Sequence, residues 1–405
     1  MSIVIRPITE DEVVDFQKAC VDVFGGEFLQ EASDRFSANH PLERTATAFE
    51  GATIVGTSAD MPFDLTVPGG VLPLAGLTMV TVRPTHRRRG VMSSMVRVYM
   101  DQAHERGDPV GGLWAAEWPI YGRFGFGVAT DAVALAFDGR QVEIAGEPSG
   151  HTLTQLGEDE VRDVLPAVYE RARRRRPGTL GRSLAWWDER LLFDPPQWRH
   201  GASASRHVVA SIGDAVTGYV TYRQKPHWDG GHAVGEVQVT EVIAIDGDTE
   251  RALWRFLSRI DLHPKVRWEH GPADPALIWL ASDGRKVERR VDDGLWVRLI
   301  DVPAALAGRR YQMDGTLAIR VVDAFCPWND GTFRLSVEEG AAECERSDSD
   351  PHITLSASTL AALYLGGRSA TVLADAGLIE GTAEAVVAAD TMFRWDRAPW
   401  CPEVF

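Results

Sequence analysis

Leu77-Thr78-Met79-Val80-Thr81-Val82-Arg83-Pro84-Thr85-His86-Arg87-Arg88-Arg89-Gly90-Val91-Met92-Ser93 reads as a strand, a basic turn and the start of a helix in direct succession. The apolar, β-branched run stops at Arg83-Pro84, where proline removes a backbone donor. A helix is expected from 91 to about 106, with Val91, Met95, Val98 or Tyr99, and Gln102 or Ala103 at three-to-four spacing and Gly107 as its stop. A helix start presents unpaired N–H groups and the positive end of the dipole, which suits a pyrophosphate. Gly90 lets the backbone approach such a group, and Arg87, Arg88 and Arg89 add charge-assisted bonds. A solvated basic turn would explain the short motif equally well. It does not explain a strand before, a helix after and a further strand, Gly111 to Ala116, at the right distance. The phosphate reading is therefore preferred.

Outward from this segment, residues 2–6 form an expected strand, and Thr9 with Glu12 a capping box that opens a helix carrying Val13, Phe16 and Cys20 on its apolar side. Two β-rich stretches, 44–66 and 71–83, are broken by Gly51 and by Pro68-Gly69-Gly70. After the 111–116 strand come Trp118-Pro119-Ile120-Tyr121-Gly122-Arg123-Phe124-Gly125-Phe126-Gly127 and a final strand to Phe137, completing an α/β unit; residues 138–152 read as a linker. The order strand, loop, helix, strand then returns at 239–245, 249–261 and 266–269, within a second unit running to about residue 300. Its loop is Asp246-Gly247-Asp248-Thr249-Glu250, acidic where the first is basic. The last hundred residues alternate cleanly at Phe333, Leu335 and Val337. Another strand follows at 352–355, then helices near 359–365, 370–378 and 382–393, an α+β pattern.

Composition narrows the class. At roughly 150 residues per domain, 405 residues predict two to three domains. The net charge of −16 disfavours nucleic acid and favours cationic small molecules. Arg173-Arg174-Arg175-Arg176 is read as the basic end of an exposed helix rather than a nucleic-acid site. No apolar run reaches the ~20 residues of a membrane span, and the first residues lack a signal-peptide pattern. Four dispersed cysteines suggest free thiols in a reducing cytoplasm, and the eleven histidines show no metal-binding spacing.

With its flanking elements, the basic turn resembles the R/Q-x-x-G-x-G/A motif of the GNAT superfamily of N-acetyltransferases, Met92 standing where the motif has a small residue. The segment Tyr121-Gly122-Arg123-Phe124-Gly125-Phe126, the turn, the length and the terminal Phe405 are similar to the enhanced-intracellular-survival (Eis) acetyltransferases of actinobacteria. The resemblance covers the whole chain and implies tandem GNAT-like α/β domains followed by a sterol-carrier-protein-like α+β domain. On this chain these are a catalytic domain at 1–150, a degenerate copy at 151–300 and the carrier-like domain at 301–405. It also implies acetyl-CoA as co-substrate, no metal and a homohexamer. The pantetheine arm falls to Val80, Thr81 and Val82, the phosphates to Arg87, Arg88, Arg89, Gly90, Val91, Met92 and Ser93, and further contacts to Ala116 and Glu117. Tyr121 takes the role of general acid and the α-carboxylate of Phe405 that of general base, with polycationic amines, aminoglycosides and lysine side chains, as acceptors.

The chemistry asks for two proton transfers: the acceptor ammonium must lose a proton, and the departing thiolate must gain one. A phenol with a pKa near ~10 suits the second. A carboxylate of pKa ~3.5 is a weak base and needs burial or a relaying water for the first. Tyr121 could instead be a half-buried aromatic in a glycine-rich turn, and Phe405 a frayed tail, although the apolar Trp400 and Val404 argue for docking. Glu117 and Glu403 are the next candidate bases, while His86 and His104 read as surface residues. Two rival functions stand beside the transferase: a carrier of an apolar ligand through the last domain, and a GNAT enzyme for one unrelated metabolite.

Overall fold

The computed structural model describes residues 2–147 and 150–405. Among them the chain forms two seven-stranded sheets, a five-stranded sheet and a two-stranded ribbon. They belong to two units, one of residues 1–129, 295–396 and 404–405, the other of 130–294 and 397–403.

In the first unit the strand order is Ile3–Arg6, Thr47–Glu50, Thr53–Val67, Gly70–Val82, Val110–Trp114, Leu295–Leu299 and Gly127–Val128. In the second it is Thr152–Gln155, Arg206–Ile212, Ala215–Lys225, Glu236–Ala244, Lys265–Gly271, Asp131–Asp138 and Glu288–Asp293. The two orders match position by position. Each sheet is antiparallel except between its fourth and fifth strands. The expected repeat is therefore present throughout, with helices Val13–Phe24 and Glu158–Arg173 in matching places and helices Val91–Arg106 and Gly247–Leu257 after the fourth strands.

One expectation is corrected. The strand ending at Phe137 does not close the first sheet; it pairs with 265–271 and 288–293 in the second. Its place in the first sheet is filled by 295–299. Both strands are apolar and largely buried, and each fills the sixth of seven places in its sheet, so their patterns would suit that place in either sheet. The choice is made where the chain crosses, at 129–130 and 294–295. There the Ala129 N–H bonds the Leu295 carbonyl at 3.1 Å and the Gly294 N–H bonds the Thr130 carbonyl at 3.0 Å. The stretch read as a linker also contributes to the second core, through buried Val142 and Ile144; Pro148 and Ser149 of that stretch lie outside the described residues.

The 91–106 helix has the expected bounds. Val91, Met95, Val96, Tyr99, Met100 and Ala103 are buried, each large side chain contributing about 1.5–3 kcal/mol, and the Tyr99 hydroxyl donates to the Ala75 carbonyl at 2.7 Å. Residues 302–396 build the five-stranded sheet of the first unit, with helices Ala357–Tyr364 and Ala383–Phe393. A wholly buried ion pair, Arg298 with Asp323, ties this part to the first sheet, and the Arg97 guanidinium lies 3.8 Å over the Phe325 ring.

Candidate active site

The site follows from one register. The 70–82 and 110–114 strands run parallel and pair only from Leu74/Val110 to Gly76/Gly112; beyond that they separate. On its other side the 70–82 strand carries a bulge, where Thr57 opposes Thr81 but Ala59 opposes Thr78. Met79 adopts φ +54° there, held by the Thr57 hydroxyl on its carbonyl at 2.7 Å. The edge from 77 to 82 thus faces a gap rather than a strand, leaving backbone amide groups for a ligand.

That gap is a cleft of about 690 Å³. Its walls include Val80, Thr81 and Val82 from the free edge, Arg87, Arg88, Gly90, Val91, Met92 and Ser93 from the turn and helix start, and Ala116, Glu117 and Tyr121 from the facing side. The fold thus brings together eleven of the twelve residues expected to hold the co-substrate, and the expected acid with them. Gly90 is the N-terminal cap with φ +79°, a conformation that penalises side chains, and a Cβ there would meet open space. Arg88, at φ +62°, makes no hydrogen bond or ion pair among the described residues, whereas Arg87 reaches back to the Val82 carbonyl at 3.3 Å.

Arg89 is the exception. Its guanidinium is held by Glu50 at 3.1 Å, and it is not among the lining residues. Glu50 also accepts from His86 at 3.2 Å, and these two partners hold its carboxyl below the usual range. His86 is therefore a cleft residue rather than a solvated one, while His104 stacks on Trp328 at 4.4 Å. Val23, Phe24, Ile120 and Arg123 also line the cleft and were not anticipated. Phe24 is 61% exposed at the end of the 13–24 helix, an apolar terminus beyond the core stripe that could have marked it.

Tyr121 ends the short helix Trp118–Tyr121, is only 6% exposed, and packs edge-on to Phe126 at 6.0 Å. Its hydroxyl makes no hydrogen bond among the described residues, and burial pushes its pKa up to about 12. The phenol is thus protonated across the physiological range, in the form a proton donor needs. Glu117 precedes the same helix at its N-cap position, makes no capping hydrogen bond and is exposed.

Phe405 is not among the residues lining the cleft. Its ring packs 4.9 Å from Phe63, and the Phe63 ring in turn lies against Gly76, where a Cβ would come within 2.8 Å. The end of the chain thus rests on the sheet next to the point where the two parallel strands part. Glu403 is excluded as a solvent-linked base. It is buried, accepting from Tyr169 at 2.7 Å and Arg182 at 2.6 Å, while Arg182 also binds Glu241 at 2.7 Å. The arginine run at 173–176 is solvated only in part: Arg174 and Arg175 are exposed as expected. Arg173 is buried on Glu170, and Arg176 is bonded to Asp274 and to the Ala398 carbonyl. Among the described residues no cluster of three or more His, Cys, Asp or Glu could hold a metal, and no helix is long and apolar enough to cross a membrane.

Comparison with known proteins accords with this geometry. A family model described as an acetyltransferase (GNAT) domain matches residues 4–129, a second of the same description matches 178–299, and a sterol carrier protein domain matches 302–402. An uncharacterised N-acetyltransferase of Streptomyces coelicolor is 38% identical over 413 residues, with 99% of each chain covered. The N-acetyltransferase Eis of Mycobacterium tuberculosis is 34% identical over 336 residues, covering 80% of this chain and 79% of that one. The crystal structure of Eis1 from Mycobacterium abscessus aligns over the whole of both chains with a TM-score of 0.86 at 29% identity.

Proposed function

Since the chain belongs to the Eis family of GNAT N-acetyltransferases, we propose that it transfers the acetyl group of acetyl-CoA to amines of polycationic acceptors, aminoglycosides foremost and lysine side chains second. The observation that carries this reading is the joint presence, in one cleft, of an unpaired strand edge, an unpaired Arg88 and the unbonded hydroxyl of Tyr121. GNAT domains use acetyl-CoA, which supplies an activated thioester.

In this proposal the backbone of 80–82 holds the pantetheine amides, and Arg87, Arg88 and the free N–H groups at the start of the 91–106 helix hold the phosphates. Arg89 contributes through Glu50, shaping the turn rather than binding. Tyr121 gives its proton to the departing sulfur. The α-carboxylate of Phe405 takes the proton of the acceptor ammonium through water, a role supported by the seat of its ring on Phe63 beside the parting strands. Glu117, exposed at the cleft wall, is the remaining alternative base. The net charge of −16 draws polycations toward the molecule. By family likeness the assembly is proposed to be a homohexamer. Free, mostly buried cysteines fit a cytoplasmic protein.

The carrier reading has less support, because the features that carry the transferase reading lie in the first cleft and a carrier would need neither Arg88 nor Tyr121. Release of free thiol from acetyl-CoA, followed against polyamines, aminoglycosides and lysine peptides, is the deciding measurement. Turnover should be fastest with aminoglycosides, and its kcat/KM should fall as salt shortens the Debye length toward ~3 Å at ~1 M. Thiol release with none of these amines would overturn the proposal, and a salt-independent rate would remove the electrostatic part of it.

A further inference from the structure

The second unit repeats the parting of strands that creates the acyl cleft. Strands 236–244 and 265–271 pair in parallel from Glu236/Lys265 to Val239/Trp268, then separate, and the 247–257 helix follows the first of them. The gap holds a cavity of about 320 Å³, at the small end of ligand pockets. Its basic and acidic walls are mostly self-satisfied. Arg173 is paired with Glu170 at 2.5 Å, Arg176 with Asp274, and Asp246 caps the helix through the Thr249 N–H at 2.8 Å.

Two charges remain. Glu250 receives only the Trp254 indole N–H, at 3.3 Å, and burial pushes its carboxyl up. Arg397 lines the same cavity and, with Arg176, attracts the Glu250 carboxyl electrostatically, but it makes no hydrogen bond or ion pair among the described residues. Part of the cavity wall is aromatic: Trp268 and Trp400 pack edge to face at 5.8 Å, and the Trp268 indole N–H, in a residue 4% exposed, has no acceptor. A cavity whose last carboxyl and guanidinium attract one another without meeting in an ion pair is complementary to a ligand carrying one charge of each sign.

We propose that this second cavity binds a small α-amino acid, its ammonium on Glu250, its carboxylate on Arg397 and its side chain against Trp268 and Trp400. The site is distinct from the acyl cleft, and the proposal does not rest on the acetyltransferase reading.

Calorimetry on the full chain saturated with acetyl-CoA, titrated with each of the twenty common L-amino acids, tests it. At least one should bind with a stoichiometry of one per chain and a Kd below about 1 mM. For that amino acid, the decarboxylated amine and the deaminated acid should each bind at least about tenfold more weakly, as should the amino acid itself to Glu250→Gln or Arg397→Ala. Arg397 is exposed and Glu250→Gln keeps its shape, so both variants should retain the wild-type unfolding midpoint and acetyl-CoA affinity. No binding by any of the twenty at about 10 mM would overturn the proposal. So would equal binding of the bare amine, or binding unchanged in both variants.

Discussion

Two segments of this protein share the same order of strand and helix and arrive at different electrostatics. In one, the 70–82 strand leads through His86, Arg87 and Arg88 into the 91–106 helix, capped by a bare Gly90. In the other, the 236–244 strand leads through Asp246 into the 247–257 helix, and that aspartate caps the helix itself. Both helices begin beside a parting pair of parallel strands, so the fold supplies a cleft twice. The cap residue and the charges beside it decide whether the helix start stays available to an anion. A shared fold therefore does not imply a shared ligand.

The sharpest way to break this comparison is to disable the proposed proton transfers in the first cleft. Tyr121→Phe, and separately the addition of one or two glycines after Phe405, should each lower kcat roughly 10²–10⁴-fold while acetyl-CoA affinity barely changes. Added residues move the terminal charge by at most ~3.6 Å each, enough to lose it as a base. Full activity in the extended chain would transfer the base role to Glu117.

Next in size is a stability effect confined to the second unit's buried ions. Glu403→Gln replaces one of the two carboxylates on Arg182, whose charge Glu241 still balances, and should cost about 1–3 kcal/mol in denaturant unfolding. A variant that lost turnover with an unchanged unfolding midpoint would restore Glu403 as a catalytic candidate.

Charge reversal at the unpaired arginine compares the two loops directly. Arg88→Glu should weaken acetyl-CoA binding by roughly 10²-fold in calorimetry. The wild type should bind one acetyl-CoA per chain; two per chain would mean that the acidic loop accepts phosphate after all. The smallest effect is an expected absence. With the Tyr121 phenol pushed up to about 12, that group stays protonated between about pH 6 and 10. The kcat/KM profile should rise as the acceptor amine deprotonates and show no fall from loss of the phenol proton. A descending limb near pH ~10 that Tyr121→Phe abolishes would show the phenol to be unshifted.

Legibility followed range. The strand, turn and helix around Arg87 were readable because period, Pro84, Gly90 and Gly107 act within a few residues of where they are written. Tyr121 was found in another way, through the family resemblance of its segment, which sits on a short helix and a tight turn. Three features were not readable in either way. Arg89 looks identical to its neighbours until Glu50, 39 positions away, engages it. Arg173 and Arg176 look like a solvated basic run until Glu170, Asp274 and the Ala398 carbonyl engage them. Strand 131–138 looks like the end of the first sheet because its pattern would suit the same place in either sheet.

Local conformations, the order of the units and the basic turn at a helix start were written in the sequence, while Ala116, Glu117 and Tyr121 were reached only through the family resemblance. The former depend on backbone preferences and on short-range periodicity. The tertiary structure alone decided which sheet the 131–138 and 295–299 strands complete, which arginines remain free for a ligand, and that the chain ends against Phe63 with Glu403 locked under Arg182. Those outcomes depend on pairings between groups tens to hundreds of residues apart, where every strand and every guanidinium has several chemically equivalent partners and only packing selects among them.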